Sequence, residues 1–328
     1  MEKSKRFLDI GILQAFGILC VFLGHALRIY QNGGWYFHKA TPNLFCDIVD
    51  KFIYSFHMPL FVFLSGFLFY LNKDKITSVF AYILKRAKRL IVPFYLAGFL
   101  YVLPMICFIN PLDKSAGFYY LNFLTMDYTW HLWFLPMLFL ITVFFALYYF
   151  KFSKLNRYIL LILLITASLL KIKGIPSCFA MIPKLAIYFY MGCVFVEFKD
   201  FVKVKLSKFL PLIFILMLGV ESLLYLYPIY SILGLLSAGF AILFFYILAQ
   251  KFSEKGLGEN KIISFLSVNL FTLYILHEPI MAMILKYCDW GAKYHPALTT
   301  SLLFVGTLAI CVVGIFIINL LKSRFVKS

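Results

Sequence analysis

The stretch LDIGILQAFGILCVFLGHALRIY, Leu8–Tyr30, is an almost unbroken apolar run with a histidine and an arginine near its far end. A helix needs about 20 mostly apolar residues to cross the hydrocarbon core of a bilayer, and this run supplies them. A transmembrane β-strand would instead alternate apolar and polar residues over about ten positions, and no such alternation is present. Leu8–Tyr30 therefore reads as a membrane-spanning helix. Nine further runs read the same way: Phe52–Leu71, Leu90–Ile109, Leu132–Phe150, Tyr158–Leu170, Cys178–Phe198, Phe209–Tyr227, Ile229–Ala249, Ile262–Leu285 and Leu298–Leu321. The fifth span is short and the sixth carries Pro183 and Lys184, so these two are the least regular members of the set.

Composition agrees. Of 328 residues, 63% are hydrophobic and 14% charged, where soluble domains run at about 45–50% and about 25%. No water-soluble sphere hides so much apolar side chain, so disordered, collagen-like and disulfide-rich secreted classes are excluded. The expected fold is all-α, a polytopic bundle of about ten transmembrane helices. Residues 1–328 read as one integral membrane domain without repeats, low-complexity tracts or an appended soluble domain. The first apolar run is too long for a cleavable signal peptide and lacks a small-residue cleavage site after it.

The net charge of +17 would suggest nucleic acid in a soluble protein. In a polytopic one it is first a topology signal. Of the 31 Lys and Arg residues, 22 fall in the amino terminus, the even-numbered loops and the carboxyl tail. Both termini are therefore expected in the cytoplasm, with the protein multi-pass in the inner cell membrane. The basic excess is then accounted for, and no nucleic-acid partner is expected. Seven cysteines form no CxxC and no Cys/His cluster, and most lie in apolar runs, where cysteine behaves as a small hydrophobe. No disulfide framework and no metal site are expected.

Residues 76–89 carry Ile76, Val79, Phe80, Ile83 and Ala87 at helical spacing with basic residues between them, the pattern of an amphipathic helix on the cytoplasmic surface. The long outer loops, about 31–51 and 110–131, are rich in aromatic residues.

An ionisable residue at membrane depth is costly and marks a functional candidate. His25 lies about 25 Å along the first helix at 1.5 Å per residue. Gln14 sits eleven residues earlier on the same face, and Arg28 continues that face outward. His25 reads either as a histidine hydrogen-bonded between packed helices or as a catalytic base. The second span, FHMPLFVFLSGFLF (Phe56–Phe69), brings His57, Pro59 and the Ser65–Gly66 pair. Tyr54 and His57 share a face there, and Ser65–Gly66 reads as a small-residue packing groove. Arg86 and Arg89 stand at i, i+3 beside Lys88 at the cytoplasmic boundary. They suit either anionic lipid or the bidentate gripping of a phosphate. The fourth span opens on Trp130, His131 and Trp133 at the outer interface, where Trp is usual as a membrane belt. The ninth contains LYILHEP (Leu273–Pro279), with His277 and Glu278 deep in the run. A histidine base oriented by a carboxylate is ordinary acyl-transfer chemistry; which carboxylate reaches His25 is open at this level. There is no P-loop, GxSxG elbow or HExxH in usable context.

Taken together, DIGILQAFGILCVFLGH (Asp9–His25), FHMPLFVFLSGFLF, KRAKRLIVPF (Lys85–Phe94), LWFLPMLFL (Leu132–Leu140) and LYILHEP resemble the acyltransferase-3 family of integral membrane acyltransferases. The likeness is greatest to its fucose-4-O-acetylase-like, nodulation-factor-acetylase-like branch. The resemblance implies a bundle of about ten helices that moves an acyl group, commonly acetyl from acetyl-CoA, to a glycan hydroxyl. His25 matches the family's essential histidine, and Arg86 and Arg89 match the arginines thought to hold the CoA phosphates. The family usually has Arg or Lys eleven residues before that histidine; Gln14 stands there instead. An amide still donates hydrogen bonds but supplies no charge, so donor binding would lean on Arg86, Arg89 and Lys88.

The expected reaction uses acyl-CoA as donor substrate, with no bound cofactor, and a cell-surface or lipid-linked glycan as acceptor. His57, Trp130, His131, Trp133, His277 and Glu278 are expected on the acceptor side, with Trp35, Tyr36, Tyr119 and Tyr120 among the aromatic rings available to a sugar. Two other classes fit less well. A transporter or flippase of a glycan precursor would use intramembrane His and Glu as proton relays, but the two halves of the chain show no repeat. A catalytically weak partner in polysaccharide assembly is the third reading, and Gln14 favours it.

Overall fold

The computed structural model describes residues 8–31, 40–151, 156–170, 172–228, 231–288 and 294–325. Trp35 and Tyr36, among the residues singled out above, lie outside these. In chain order the α-helices are α1 (Leu8–Leu27), α2 (Leu44–Leu71), α3 (Val79–Ala97), α4 (Leu103–Ile109), α5 (Ala116–Leu124), α6 (Phe134–Lys151), α7 (Arg157–Ser168), α8 (Ser177–Ala180), α9 (Ile182–Val204), α10 (Leu210–Leu226), α11 (Ser231–Glu254), α12 (Lys261–Val268), α13 (Leu270–Tyr287) and α14 (Pro296–Phe325). No strand occurs among the described residues. The fold is an all-α polytopic bundle. In a bilayer this is what the backbone requires, because a helix satisfies its own N–H and C=O groups where no water can.

Eight segments are long and apolar enough to cross a membrane. The two runs that fall short are the fifth and sixth of the sequence reading. Helix α7 has 12 residues, about 18 Å at 1.5 Å per residue, well short of a core about 30 Å thick. Helix α9 has 23 residues but carries Lys184, Glu197, Lys199, Asp200 and Lys203.

The basic surface segment also differs from its expected bounds. It starts at Val79, where the Ser78 side chain accepts from the Ala81 N–H and caps the helix. It then continues as one apolar segment to Ile109. Pro93 sits within α3, and a π-helical turn, Gly98–Val102, joins α3 to α4. Phe80, Leu84, Val92, Leu96 and Leu100 form an exposed row at i+4 steps, a face suited to lipid. Lys88 falls on the same row.

The chain divides into two compact units. The first comprises residues 1–57, 108–113 and 248–328. Its core is built from Ile10, Leu13, Ile18, Phe22 and Tyr30 of the first segment with Phe56, Leu273, Met281 and Leu303. Gly24 lets α1 and α2 meet closely: a Cβ there would stand 3.0 Å from the Tyr54 ring. The end of α4 is fastened by Lys286, whose Nζ donates to the Phe108 and Ile109 carbonyls at 2.7 and 3.1 Å. A lysine at a helix carboxyl end satisfies carbonyls that have no partner within the helix.

The second unit comprises residues 58–107 and 114–247. Its core is largely aromatic: Phe94 stacks on Phe123 with centroids 4.8 Å apart, and Phe145 on Phe189 at the same distance. The pairing of α2 with α9 is set by two glycines. A Cβ on Gly66 would lie 2.0 Å from the Phe189 carbonyl oxygen, and one on Gly192 would lie 2.1 Å from that of Phe63. The small-residue groove read from Ser65–Gly66 is therefore a helix contact, while the Ser65 hydroxyl donates back to Phe61 O in its own helix.

Candidate active site

The first unit gathers three of the four intramembrane histidines and glutamate singled out above onto the end of α1. The face of α1 carrying Gln14, Ile18, Val21, His25 and Arg28 turns inward, with Ile18 and Val21 buried. His25 lies in the last turn of α1, and Arg28 opens the 3-10 turn that continues it to Tyr30. From α13, Glu278 approaches His25, with Oε2 3.7 Å from His25 Nδ1. Both side chains are largely buried, at 15% and 11% exposure. The distance exceeds a formed hydrogen bond, but catalytic contacts are often long until substrate binds. Which carboxylate reaches His25 was left open by the sequence; the structure brings that of Glu278 to within 3.7 Å of its ring.

The neighbouring imidazole is His277. Its ring centroid is 4.9 Å from that of His25, with the planes near perpendicular, and Phe22 packs against its other side at 5.2 Å. His277 Nδ1 donates to the Tyr274 carbonyl at 2.7 Å. A carbonyl only accepts, so this bond places a proton on Nδ1 and fixes the ring's orientation. His57 is held likewise, its Nδ1 donating to Ile53 O at 2.8 Å. Its ring stands edge-on to Tyr54 at 4.7 Å. Pro279 follows Glu278 directly and has no N–H for the helix ladder, so α13 is loosened beside the two polar residues.

Outward from His25, the Arg28 guanidinium carbon sits 4.1 Å from the centre of the Tyr54 ring, a cation–π contact. Asp50, one turn before Tyr54 on α2, is 2% exposed and accepts a hydrogen bond from the Gln31 side-chain amide through Oδ2. Asp50, Tyr54 and His57 share one helix face at i, i+4 and i+7. The sequence reading placed Tyr54 and His57 on that face but missed Asp50. Continuing the row back by one turn was the signal that would have found it.

Toward the other end of α1, Gln14 Oε1 accepts from Ser267 Oγ of α12 at 2.8 Å. The amide, at the position where the resemblance implies a basic residue, is thereby tied to a neighbouring helix, with its NH2 group left as donor.

His25, His277 and Glu278 each offer one atom that could ligate a metal, all within 4.8 Å of one another. A tetrahedral zinc with bonds of about 2.0–2.2 Å keeps its ligand atoms only about 3.3–3.6 Å apart. These side chains would have to close in before they held such an ion.

The remaining expected residues belong to the second unit. Arg86 is half-buried, and its Nε donates to Tyr82 Oη at 3.0 Å. Arg89 and Lys88 are exposed, Lys88 on the apolar row of α3. Trp130, His131 and Trp133 form a 3-10 turn leading into α6. His131 is buried, Trp130 has a positive φ of 52°, and Trp133 packs edge-on against Phe134.

Comparison with known proteins bears on the family of the chain. The acyltransferase-3 family model, described as an acyltransferase domain, matches residues 7–318. Nodulation protein NolL of Sinorhizobium fredii (strain NBRC 101917 / NGR234) is 28% identical over 211 residues, which cover 59% of this chain and 50% of that protein. The match thus spans about half the length of this curated relative. No solved structure matches. With the family model covering nearly the whole chain, this multi-pass membrane protein belongs to the acyltransferase-3 family.

Proposed function

We propose that this protein is a membrane O-acyltransferase that moves an acyl group, in the simplest case acetyl, from cytoplasmic acyl-CoA to a hydroxyl of a cell-surface or lipid-linked glycan. The observation that carries the proposal is the buried pairing of His25 with Glu278. A carboxylate at Nδ1 orients the imidazole and leaves Nε2 to act on substrate, the division of labour seen in acyl-transfer triads.

In the proposed step His25 Nε2 takes the proton from the acceptor hydroxyl. The oxygen attacks the thioester carbonyl, and a tetrahedral intermediate forms. The carbon–sulfur bond then breaks, and the departing CoA thiolate takes the proton back from His25. Glu278, expected from sequence among the acceptor contacts, becomes the group that holds Nδ1–H and stabilises the imidazolium while it lasts. Arg86 and Arg89 are proposed to bind the CoA phosphates, because a guanidinium fork matches phosphate oxygens bidentately; Tyr82 already holds Arg86 through Nε. Lys88, on the exposed apolar row, suits lipid phosphate better than the donor. Gln14 is proposed to donate to the pantetheine arm through its NH2 group. His57, His277, Trp130, His131 and Trp133 remain the proposed acceptor-side residues.

The test is acyl transfer by purified protein in liposomes. Labelled acetyl-CoA is supplied on one side, and the acceptor is the glycan and lipid-linked sugar fraction of the host membrane. Label is expected in glycan with the wild type, none with His25→Ala, and a raised KM for acetyl-CoA with Arg89→Ala. Unchanged transfer in His25→Ala would remove the proposed base, and glycan translocation without acylation would favour a transporter.

A further inference from the structure

Outward from His25 the first unit contains a polar cluster to which the proposed acyl transfer assigns no role: Arg28, Gln31, Asp50 and Tyr54. Its members are mutually close. Arg28 lies over the Tyr54 ring, Gln31 is bonded to Asp50, and the Arg28 charge acts on Asp50, Tyr54, His57 and Glu278 alike. The cluster therefore adjoins the His25–Glu278 pair electrostatically as well as along α1. Three of its polar atoms are buried and have no hydrogen-bond partner among the described residues: Arg28 Nε, Asp50 Oδ1 and Tyr54 Oη. Buried polar atoms are nearly always paired in folded proteins, and each exception calls for an explanation.

The three atoms differ in kind. Arg28 Nε only donates, a carboxylate oxygen only accepts, and a phenol does both. A phosphate or carboxylate placed here would face the Asp50 carboxylate, and an ammonium group would face Arg28. A hydroxyl both donates and accepts, so a pair of hydroxyls on a neutral ligand satisfies all three atoms.

We infer that Arg28, Asp50 and Tyr54 form a subsite for two hydroxyls of an uncharged sugar, next to the hydroxyl offered to His25. This subsite would fix which hydroxyl of the acceptor is acylated. The inference rests on the acceptor being a glycan, as in the proposed function. It extends that function by specifying a neutral sugar ring at this position and the residues that orient it. Gln31 supports the subsite from outside by holding Asp50 Oδ2.

Equilibrium binding tests this separately from catalysis. The full chain in lipid nanodiscs is titrated, by saturation-transfer NMR, with methyl glycosides of glucose, galactose, mannose and fucose, their monodeoxy analogues, and methyl glucuronide. At least one neutral glycoside is expected to bind the wild type more tightly than the glucuronide. Its affinity should fall about tenfold in Asp50→Asn and in Tyr54→Phe, the scale of one hydrogen bond to a charged or buried partner. Tyr54→Phe keeps the ring beneath Arg28 and removes only the hydroxyl. In the wild type one monodeoxy analogue should carry the same tenfold penalty, and that penalty should vanish in the matching variant, which is the signature of direct coupling. The inference is overturned if no neutral glycoside binds, if the glucuronide binds best, or if the deoxy penalty persists unchanged in the variants. The deoxy series on wild type needs no variant to fold. If the acyl-transfer reading alone were wrong, the same binding pattern would appear with no label transferred.

Discussion

At the residue scale, the deciding contact is that between a carboxylate and an imidazole it nearly touches. Glu278 Oε2 and His25 Nδ1 are 3.7 Å apart in a setting that excludes most water. If the carboxylate orients the ring and balances the charge it gains during transfer, an isosteric loss of charge should damage turnover and spare donor binding. Glu278→Gln is therefore expected to lower kcat by a factor of about 10² to 10⁴, the upper end being the effect of the analogous aspartate-to-asparagine change in a serine-protease triad, with the KM for acyl-CoA unchanged. Steady-state kinetics with acetyl-CoA varied at saturating acceptor measures both. A raised KM at full kcat would instead make Glu278 a donor-binding group. The sequence exposed His25, His57, His277 and Glu278 because an ionisable group inside an apolar run stands out. It could not expose the His25–Glu278 pairing, which joins α1 to α13 through packing between segments far apart in the chain. Asp50 was hidden for the opposite reason: an acid near a span's end is ordinary on a loop boundary, and only its burial makes it informative.

At the scale of elements, the α2–α9 contact in the second unit rests on backbone approach more than on side-chain size. Gly66 and Gly192 face each other's helices so closely that any Cβ would meet a carbonyl oxygen, an atom that cannot rotate away. Gly66→Ala and Gly192→Ala are each expected to lower the melting temperature sharply or to abolish recovery of folded protein from detergent. Overpacking of a tight interior costs about 1–3 kcal/mol or more, and a clash against backbone belongs at the top of that range. Gly219→Ala in α10, where a Cβ meets nothing within 4 Å, is the matched comparison. It should leave stability unchanged or raise it slightly, since alanine favours a helix over glycine by about 1 kcal/mol. Thermal unfolding followed by tryptophan fluorescence separates the cases; equal melting of all three variants would mean the α2–α9 contact relaxes freely. The small pair Ser65–Gly66 was legible as a groove from sequence, but its partner Gly192 was not, because a glycine between Met191 and Cys193 signals nothing until the opposing helix is known. The same limit explains the surface segment. Its amphipathic pattern was plain, yet continuity of α3 past Pro93 and through a π-helical turn depends on neighbours such as Phe123, which fills the space beside Gly98.

At the scale of the whole molecule, the distribution of charge makes a claim about sidedness that geometry alone does not. Of 31 basic residues, 22 sit on the side assigned to the cytoplasm, and the bias of Lys and Arg toward cytoplasmic loops sets orientation. The assignment is the same with α7 and α9 as without them. Counting both as spans gives ten and counting neither gives eight, so both termini share a side either way. Lys75, in the turn before α3, and Lys114, before α5, are both exposed and belong to loops expected on opposite sides. In a background with the seven native cysteines replaced, Lys75→Cys should react with a membrane-impermeant maleimide only after the membrane is opened. Lys114→Cys should react in intact cells or spheroplasts. The reverse pattern would invert the protein and place the basic face of α3 outside, away from the cytoplasmic supply of CoA thioesters. Acyl-CoA could then no longer be the donor that Arg86 and Arg89 are proposed to bind, whatever His25 and Glu278 do.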